Sequence, residues 1–233
     1  MPVVPQPAPL GRTPMDRYLH STATDDNTRA LLQTPAMRWT AWTLLMTTVF
    51  TNAGALPGSG DGSAPNGLID DFTSADARSR LGTPWRLVTD QVMGGVSSAR
   101  MQRRTLEGHD ALCLTGDVSL ANNGGFVQVN LDLAAAGYLD ASAFAGVRLL
   151  VRGNGETYNV HLKTAATTMP WQSYRAAFDA GDTWREVRLP FATFAPHRLV
   201  PALDRTRLKR LGIVAIGRAM HADLCLAEIG LYR

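Results

Sequence analysis

Two glycine-paired segments carry the side chains best suited to holding a ligand. The first is Asp90-Gln91-Val92-Met93-Gly94-Gly95-Val96-Ser97 and the second is Asn122-Asn123-Gly124-Gly125-Phe126. A carboxylate, amides and a hydroxyl within a short stretch can accept and donate hydrogen bonds, and paired glycines let a backbone approach closely. Such loops would offer Asp90, Gln91, Ser97 and Asn123 to a bound molecule. The competing outcome is turn chemistry, in which Asp90 bonds its own backbone, and this is the commoner fate of an Asx side chain. Met93, Gly94, Gly95, Gly124, Gly125 and Phe126 then belong to the structural part of the motifs. Neither segment has the GxxxxGK[ST] spacing or a following helix, which excludes a phosphate cradle.

A second group, His161, Trp171, Gln172 and Tyr174, falls on stretches expected to be neighbours. An exposed aromatic ring with amide and imidazole donors beside it suits a sugar, whose apolar face stacks while its hydroxyls are bonded. Against this stands ordinary packing of Trp171 and Tyr174. Asp70, Asp71 and Glu228 open and close the domain, where a solvated edge is expected ahead of a calcium site. His20, His109, His161, His197 and His221 show no ligand spacing, so no metal site is expected. No GxSxG elbow or comparable constellation occurs, so no catalytic residue, no cofactor and no enzymatic activity are expected.

The elements that must position these groups are strands. Alternation of apolar and polar residues runs through 111–114, 126–131, 147–152, 158–163, 174–178, 185–189, 211–216 and 224–231, separated by Gly, Asn, Asp or Pro turns. Eight short runs of this kind predict an all-β sandwich or barrel. Only residues 204–210 read as a helical turn. Tyr158, Val160 and Leu162 should face the core, leaving Asn159, His161 and Lys163 on an exposed face. Trp184, Leu189, Phe191 and Phe194 are spaced as anchors of that core.

Before the strands lie three other textures. Residues 1–36 are rich in Pro, Thr and Ala and read as a disordered tail, with Met37 an alternative start. Residues 37–55 combine Arg38, an uncharged run at 39–50 and Ala53-Gly54-Ala55, the pattern of a signal peptide or a membrane-anchoring segment. Export to the periplasm or cell envelope is therefore expected, with a cytoplasmic or membrane-anchored protein as the alternative. Residues 56–67 are a Gly/Pro/Ser linker. The net charge is only +3, without a dense basic patch, which argues against nucleic acid. Cys113 and Cys225 read first as buried thiols, and as a bridge across the sandwich if the protein is exported.

The order of motifs resembles one family. Asp71-Phe72, Trp85, DQVMGGVSS (90–98), LTGDVSLANNGGFVQV (114–129), VRGNGETYNVHL (151–162), Tyr174 and WREVRLPFATFAP (184–196) follow one another as in the complex I intermediate-associated proteins. The match covers nearly all of 68–233. The resemblance implies a galactose-binding-like jelly-roll β-sandwich and a non-catalytic binding module of the assembly-factor kind. It implies a protein partner first, a respiratory-complex or envelope protein. A carbohydrate-binding module of the cell envelope is the alternative, with membrane contact confined to 39–50. The chain departs from the family at Asn130, where a basic residue is common, and at HRLVPALD (197–204). The excess of Arg over Lys suggests a bacterial, GC-rich genome.

Overall fold

The computed structural model describes residues 66–233, so the tail, the apolar segment and nearly all of the linker lie outside the described residues. Twelve strands occur in chain order: β1 (Leu68–Asp70), β2 (Trp85–Thr89), β3 (Ser98–Leu106), β4 (His109–Val118), β5 (Phe126–Asp132), β6 (Gly146–Gly153), β7 (Glu156–Thr164), β8 (Ser173–Ala180), β9 (Arg185–Pro190), β10 (Ala195–His197), β11 (Leu208–Ile216) and β12 (Met220–Tyr232). They form two six-stranded sheets. One runs β3-β4-β12-β6-β9, with β1 beside β12; the other runs β10-β8-β7-β11-β5-β2. All recorded pairings are antiparallel. The expected all-β jelly-roll sandwich is what forms.

The core follows from the two-residue period. Val127, Val129 and Leu131 on β5, Tyr158, Val160 and Leu162 on β7, and Leu211, Ile213 and Ala215 on β11 face inward from one sheet. Leu112, Leu114, Val147, Leu149, Val151, Leu224 and Leu226 meet them from the other, all in one buried cluster. Burying a Val or Leu side chain contributes about 1.5–3 kcal/mol, so this double layer supplies most of the drive to fold. Leu189, Phe191 and Phe194 join it as anticipated.

Four strands escaped the sequence pattern: β1, β2, β3 and β10. β3 is an edge strand whose side chains alternate only between exposed and half-buried. It carries Arg100, Arg103 and Arg104, charges that guard an open edge. Residues 204–210 are not one helical turn. A 3-10 turn spans Arg205–Arg207, capped by Asp204, and Leu208 already pairs with Thr164 in the sheet.

Cys113 and Cys225 are joined by a disulfide, which corrects the expectation of free thiols. They sit directly opposite each other on β4 and β12. Their side chains leave the main core and form a small second cluster with Ala111 and Ala227, against which Leu106, Leu150 and Trp184 pack. Trp184 is therefore not an anchor of the central core. It covers the bridge from the outside and stacks on His109 at 5.0 Å.

Candidate functional site

Asp90 turns the two glycine motifs into one structure. Thr89 caps a 3-10 turn over Asp90–Met93, which buries the Asp90 side chain completely. Its Oδ1 accepts from the Ser97 N–H at 3.0 Å. Its Oδ2 accepts from Ser97 Oγ at 2.5 Å, from the Gly125 N–H at 2.6 Å and from the Phe126 N–H at 3.3 Å. Loss of water pushes the Asp90 carboxyl up, but the bonds from Ser97, Gly125 and Phe126 outweigh it and hold the group below the ordinary carboxylate range. Ser97 Oγ in turn accepts from the Ser119 N–H at 2.9 Å.

The glycines are explained by the same carboxylate. A Cβ on Gly95 would lie 2.4 Å from Asp90 Cγ, and one on Gly124 would lie 2.4 Å from Asp90 Oδ2. A side chain at either position would collide with the group that ties the loops together. Asp90 and Ser97, expected as ligand contacts, are thus fully engaged inside the protein. Gln91 stays exposed, with its Nε2 donating to the Ser97 carbonyl at 3.0 Å. Asn123 is exposed, and its φ of 57° accounts for an asparagine at that position. Beside the exposed Gln91, Asn122 and Asn123, the loops present a group of apolar side chains to solvent: Val92 is 72% exposed and Met93 64%, with Val96 and Leu120 also exposed.

The outer face of the β10-β8-β7-β11-β5-β2 sheet is a different environment. Strand register sets Arg86, Asn130, Gly212, His161, Arg175 and Ala195 in one row across it. Val88, Gln128, Val214, Asn159 and Ala177 form the next. The first row spans six strands and is about 24 Å long, and the second spans five and is about 19 Å long. The middle of this face is sunken. Val214 and His161 point away from the core, yet they are only 0% and 9% exposed. Among the described residues, the side chains of Gln128, Asn130, Asn159 and His161 make no hydrogen bond, and His161 Nε2 is buried without a partner.

His161 was expected to be exposed and is buried, on the inner strand β7 where the side chains of β8 and β11 flank it. Burial, reinforced by Arg175, His197 and Lys163, drives its pKa down to about 3. The ring is therefore neutral at physiological pH and offers one donor and one acceptor. Arg175 donates from Nε to Ser173 Oγ at 3.0 Å and has no carboxylate partner among the described residues. Lys163 Nζ donates to the Pro170 carbonyl at 2.6 Å, which brings the loop carrying Trp171 to this end of the face.

The second predicted group divides. Trp171 is 52% exposed, as a platform requires. Tyr174 is fully buried in the core, with its hydroxyl donating toward the Pro201 and Ala202 carbonyls, so it is no ligand contact. Gln172 holds its own loop: Oε1 accepts from the Thr168 and Met169 N–H groups, and Nε2 donates to the Arg198 carbonyl. At the domain edge β1 does lie beside β12, but Asp71 pairs with Arg80 and Glu228 with Arg148. Asp70 accepts from the Trp85 indole at 2.7 Å. Among the described residues no cluster of potential ligands is arranged for a metal, and no helix is long and apolar enough to cross a membrane. Gln128 and Arg175 were not singled out from the sequence, and Asn130 was noted only as a departure from the family. Their only signal was their place as the polar alternates of β5 and β8.

Comparison with known proteins places this geometry. Residues 71–226 match the family described as Complex I intermediate-associated protein 30. No curated protein matches the chain. Among solved structures, the fold is similar to the family 11 carbohydrate-binding module of Clostridium thermocellum in complex with a β-1,3-1,4-mixed-linked tetrasaccharide. The identity is 11% and the TM-score 0.55, over 71% of this chain and 94% of that one. The family 11 module of the cellulosomal cellulase Lic26A-Cel5E of the same organism is similar to the same degree, with 92% of its chain covered. At such identity the likeness is one of fold.

Proposed function

The chain belongs to the Complex I intermediate-associated protein 30 family, which its match over residues 71–226 establishes, and from that premise we propose that it is a non-catalytic binding module whose ligand seat is the sunken outer face of the β2-to-β10 sheet, with a carbohydrate as the ligand class. The observation that carries this reading is His161 Nε2, buried without a partner among the described residues at the centre of a sheet, with the half-buried amides of Gln128, Asn130 and Asn159 around it. Buried polar groups are ordinarily paired, and leaving one unpaired costs about 1–3 kcal/mol. Amides and a neutral imidazole both donate and accept, as do sugar hydroxyls. Trp171 at the rim adds a stacking ring. The solved complex of a family 11 module with a tetrasaccharide supports the reading by analogy of fold.

Retention of the full chain on immobilised oligosaccharides tests it. Wild type should be retained, and Asn130→Ala with Asn159→Ala should abolish retention without unfolding the protein. Unchanged retention by that double variant would sink the proposed seat.

A second reading, docking onto a protein in the manner of an assembly factor, has its own support. Val92, Met93, Val96 and Leu120 stand exposed on the two loops that Asp90 ties together, and flexible Met side chains suit adaptable contacts. Affinity purification of Met93→Asp against wild type tests this reading: a partner captured by wild type alone supports it, and identical captures remove it. The Cys113–Cys225 bridge, together with the apolar run at 39–50, supports export to an oxidising compartment.

A further inference from the structure

The charges around the sunken face are mostly basic, with Asp132 on β5 and the exposed Asp179 on β8 as carboxylates in the same outward phase. Arg86 and Arg210 flank Asp132 and share it, at 2.7 Å and 2.6 Å. Lys163, Arg175 and Arg198 have no carboxylate within salt-bridge distance among the described residues. Burial lowers the pKa of His161, Lys163, Arg175 and His197, and each is pushed further by neighbouring cations, without a carboxylate among the causes. A face that gathers half-buried cations while leaving them uncompensated stores repulsion that an anion would relieve.

The geometry of one row sharpens this. His161 stands directly opposite Arg175 on β8 and Gly212 on β11, and Gly212 stands opposite Asn130. A Cβ on Gly212 would lie 2.5 Å from Asn130 Oδ1, so the glycine leaves room for the amide to lean across the floor of the recess. With Nε of Arg175 held by Ser173, its two terminal nitrogens have no partner among the described residues. Register sets this guanidinium beside His161, and a carboxylate matches two guanidinium N–H groups with two parallel bonds.

We infer that the saccharide taken by this face is acidic, a carboxylated oligosaccharide of the uronate kind, with one carboxylate on the Arg175 fork and its hydroxyls on Asn130, Asn159 and His161. This rests on the carbohydrate reading of the same face and narrows it. A single guanidinium fork with one lysine beside it fits a planar singly charged acid better than a run of sulfates.

Calorimetric titration of the full chain tests the inference with three probes of equal length: oligogalacturonate, a neutral mixed-linked β-glucan oligosaccharide and a sulfated oligosaccharide. Oligogalacturonate should bind about tenfold or more tightly than the neutral probe, as expected of one charge-assisted pair, and the margin should shrink at high salt. Arg175→Gln should erase that margin while leaving the thermal unfolding midpoint in place, and Lys163→Gln should reduce it. Arg188→Gln, the same charge change on the opposite sheet, should leave it intact. Equal binding of acidic and neutral probes would overturn the inference while sparing the carbohydrate reading. Tighter binding of the sulfated probe, or equal loss in Arg175→Gln and Arg188→Gln, would also overturn it. Binding of no probe would remove the carbohydrate reading itself.

Discussion

Asp90 and His161 are both polar side chains buried in the same sandwich, and they have opposite surroundings. Asp90 receives four hydrogen bonds, and two glycines are kept bare so that its carboxylate fits. His161 receives none among the described residues, and cations stand beside it. A buried polar group with every partner in place holds loops in position and has nothing left to offer. One with no partner is a standing penalty that a ligand can remove. The Asp90 motif is thus engaged as scaffold, and the proposed ligand seat lies on strands without a motif.

The sharpest way to break the contrast is Asp90→Ala. It strands the Ser97, Gly125 and Phe126 donors, and it should lower unfolding stability by about 3–5 kcal/mol in urea titration. A loss under 1 kcal/mol would mean that Asp90 is not the tie. Gly124→Ala and Gly95→Ala come next, at about 1–3 kcal/mol each, because the new methyl meets the carboxylate. Combining either with Asp90→Ala should cost less than the sum, and strict additivity in a double-mutant cycle would refute the collision.

The acid limb of stability separates the two residues. The Asp90 carboxyl is depressed in the folded state, so its contribution is full above the ordinary carboxylate pKa and is lost as pH falls through the folded value. His161 has a folded pKa of about 3, below its unfolded value, so the unfolded chain takes up a proton that the folded one refuses. That disfavours folding increasingly from about pH 6.5 down to about 3. His161→Leu should match or exceed wild type by about 1 kcal/mol at neutral pH, gain further as pH drops, and bind oligosaccharide poorly. Thermal melts across that pH range give the answer, and a variant that loses stability at every pH would mean that the imidazole is satisfied. Trp171→Ala should be the mildest, within about 0.5 kcal/mol of wild type in stability, because the ring is largely in solvent. Its effect should be confined to weaker glycan retention.

The sequence foretold much of the architecture because a two-residue period reports which face of a strand is buried. It found β4 to β9, β11 and β12, and placed Tyr158, Val160 and Leu162 in the core. It missed β3, since an edge strand buries neither face and keeps no clean alternation. The site was harder to see. Asp90, Ser97 and Gln91 looked like ligand donors because a short motif does not reveal that its partners are Gly125 and Phe126, some thirty-five residues away. Tyr174 looked like a platform because phase alone does not tell an inward aromatic from an outward one at a strand start. The row Asn130, Gly212, His161 and Arg175 comes from four strands brought together only by sheet register. The Cys113–Cys225 bridge was obscured for the same reason.

The most direct test of the contrast is amide-resolved NMR of the labelled chain titrated with oligogalacturonate. The account predicts that the side-chain amides of Gln128, Asn130 and Asn159 and the backbone of β5, β7 and β11 shift with the ligand, while Gly95, Ser97 and Gly125 stay in place. Shifts concentrated at Val92 to Val96 and Leu120, with a silent sheet face, would contradict it and give the binding role to the signature loops.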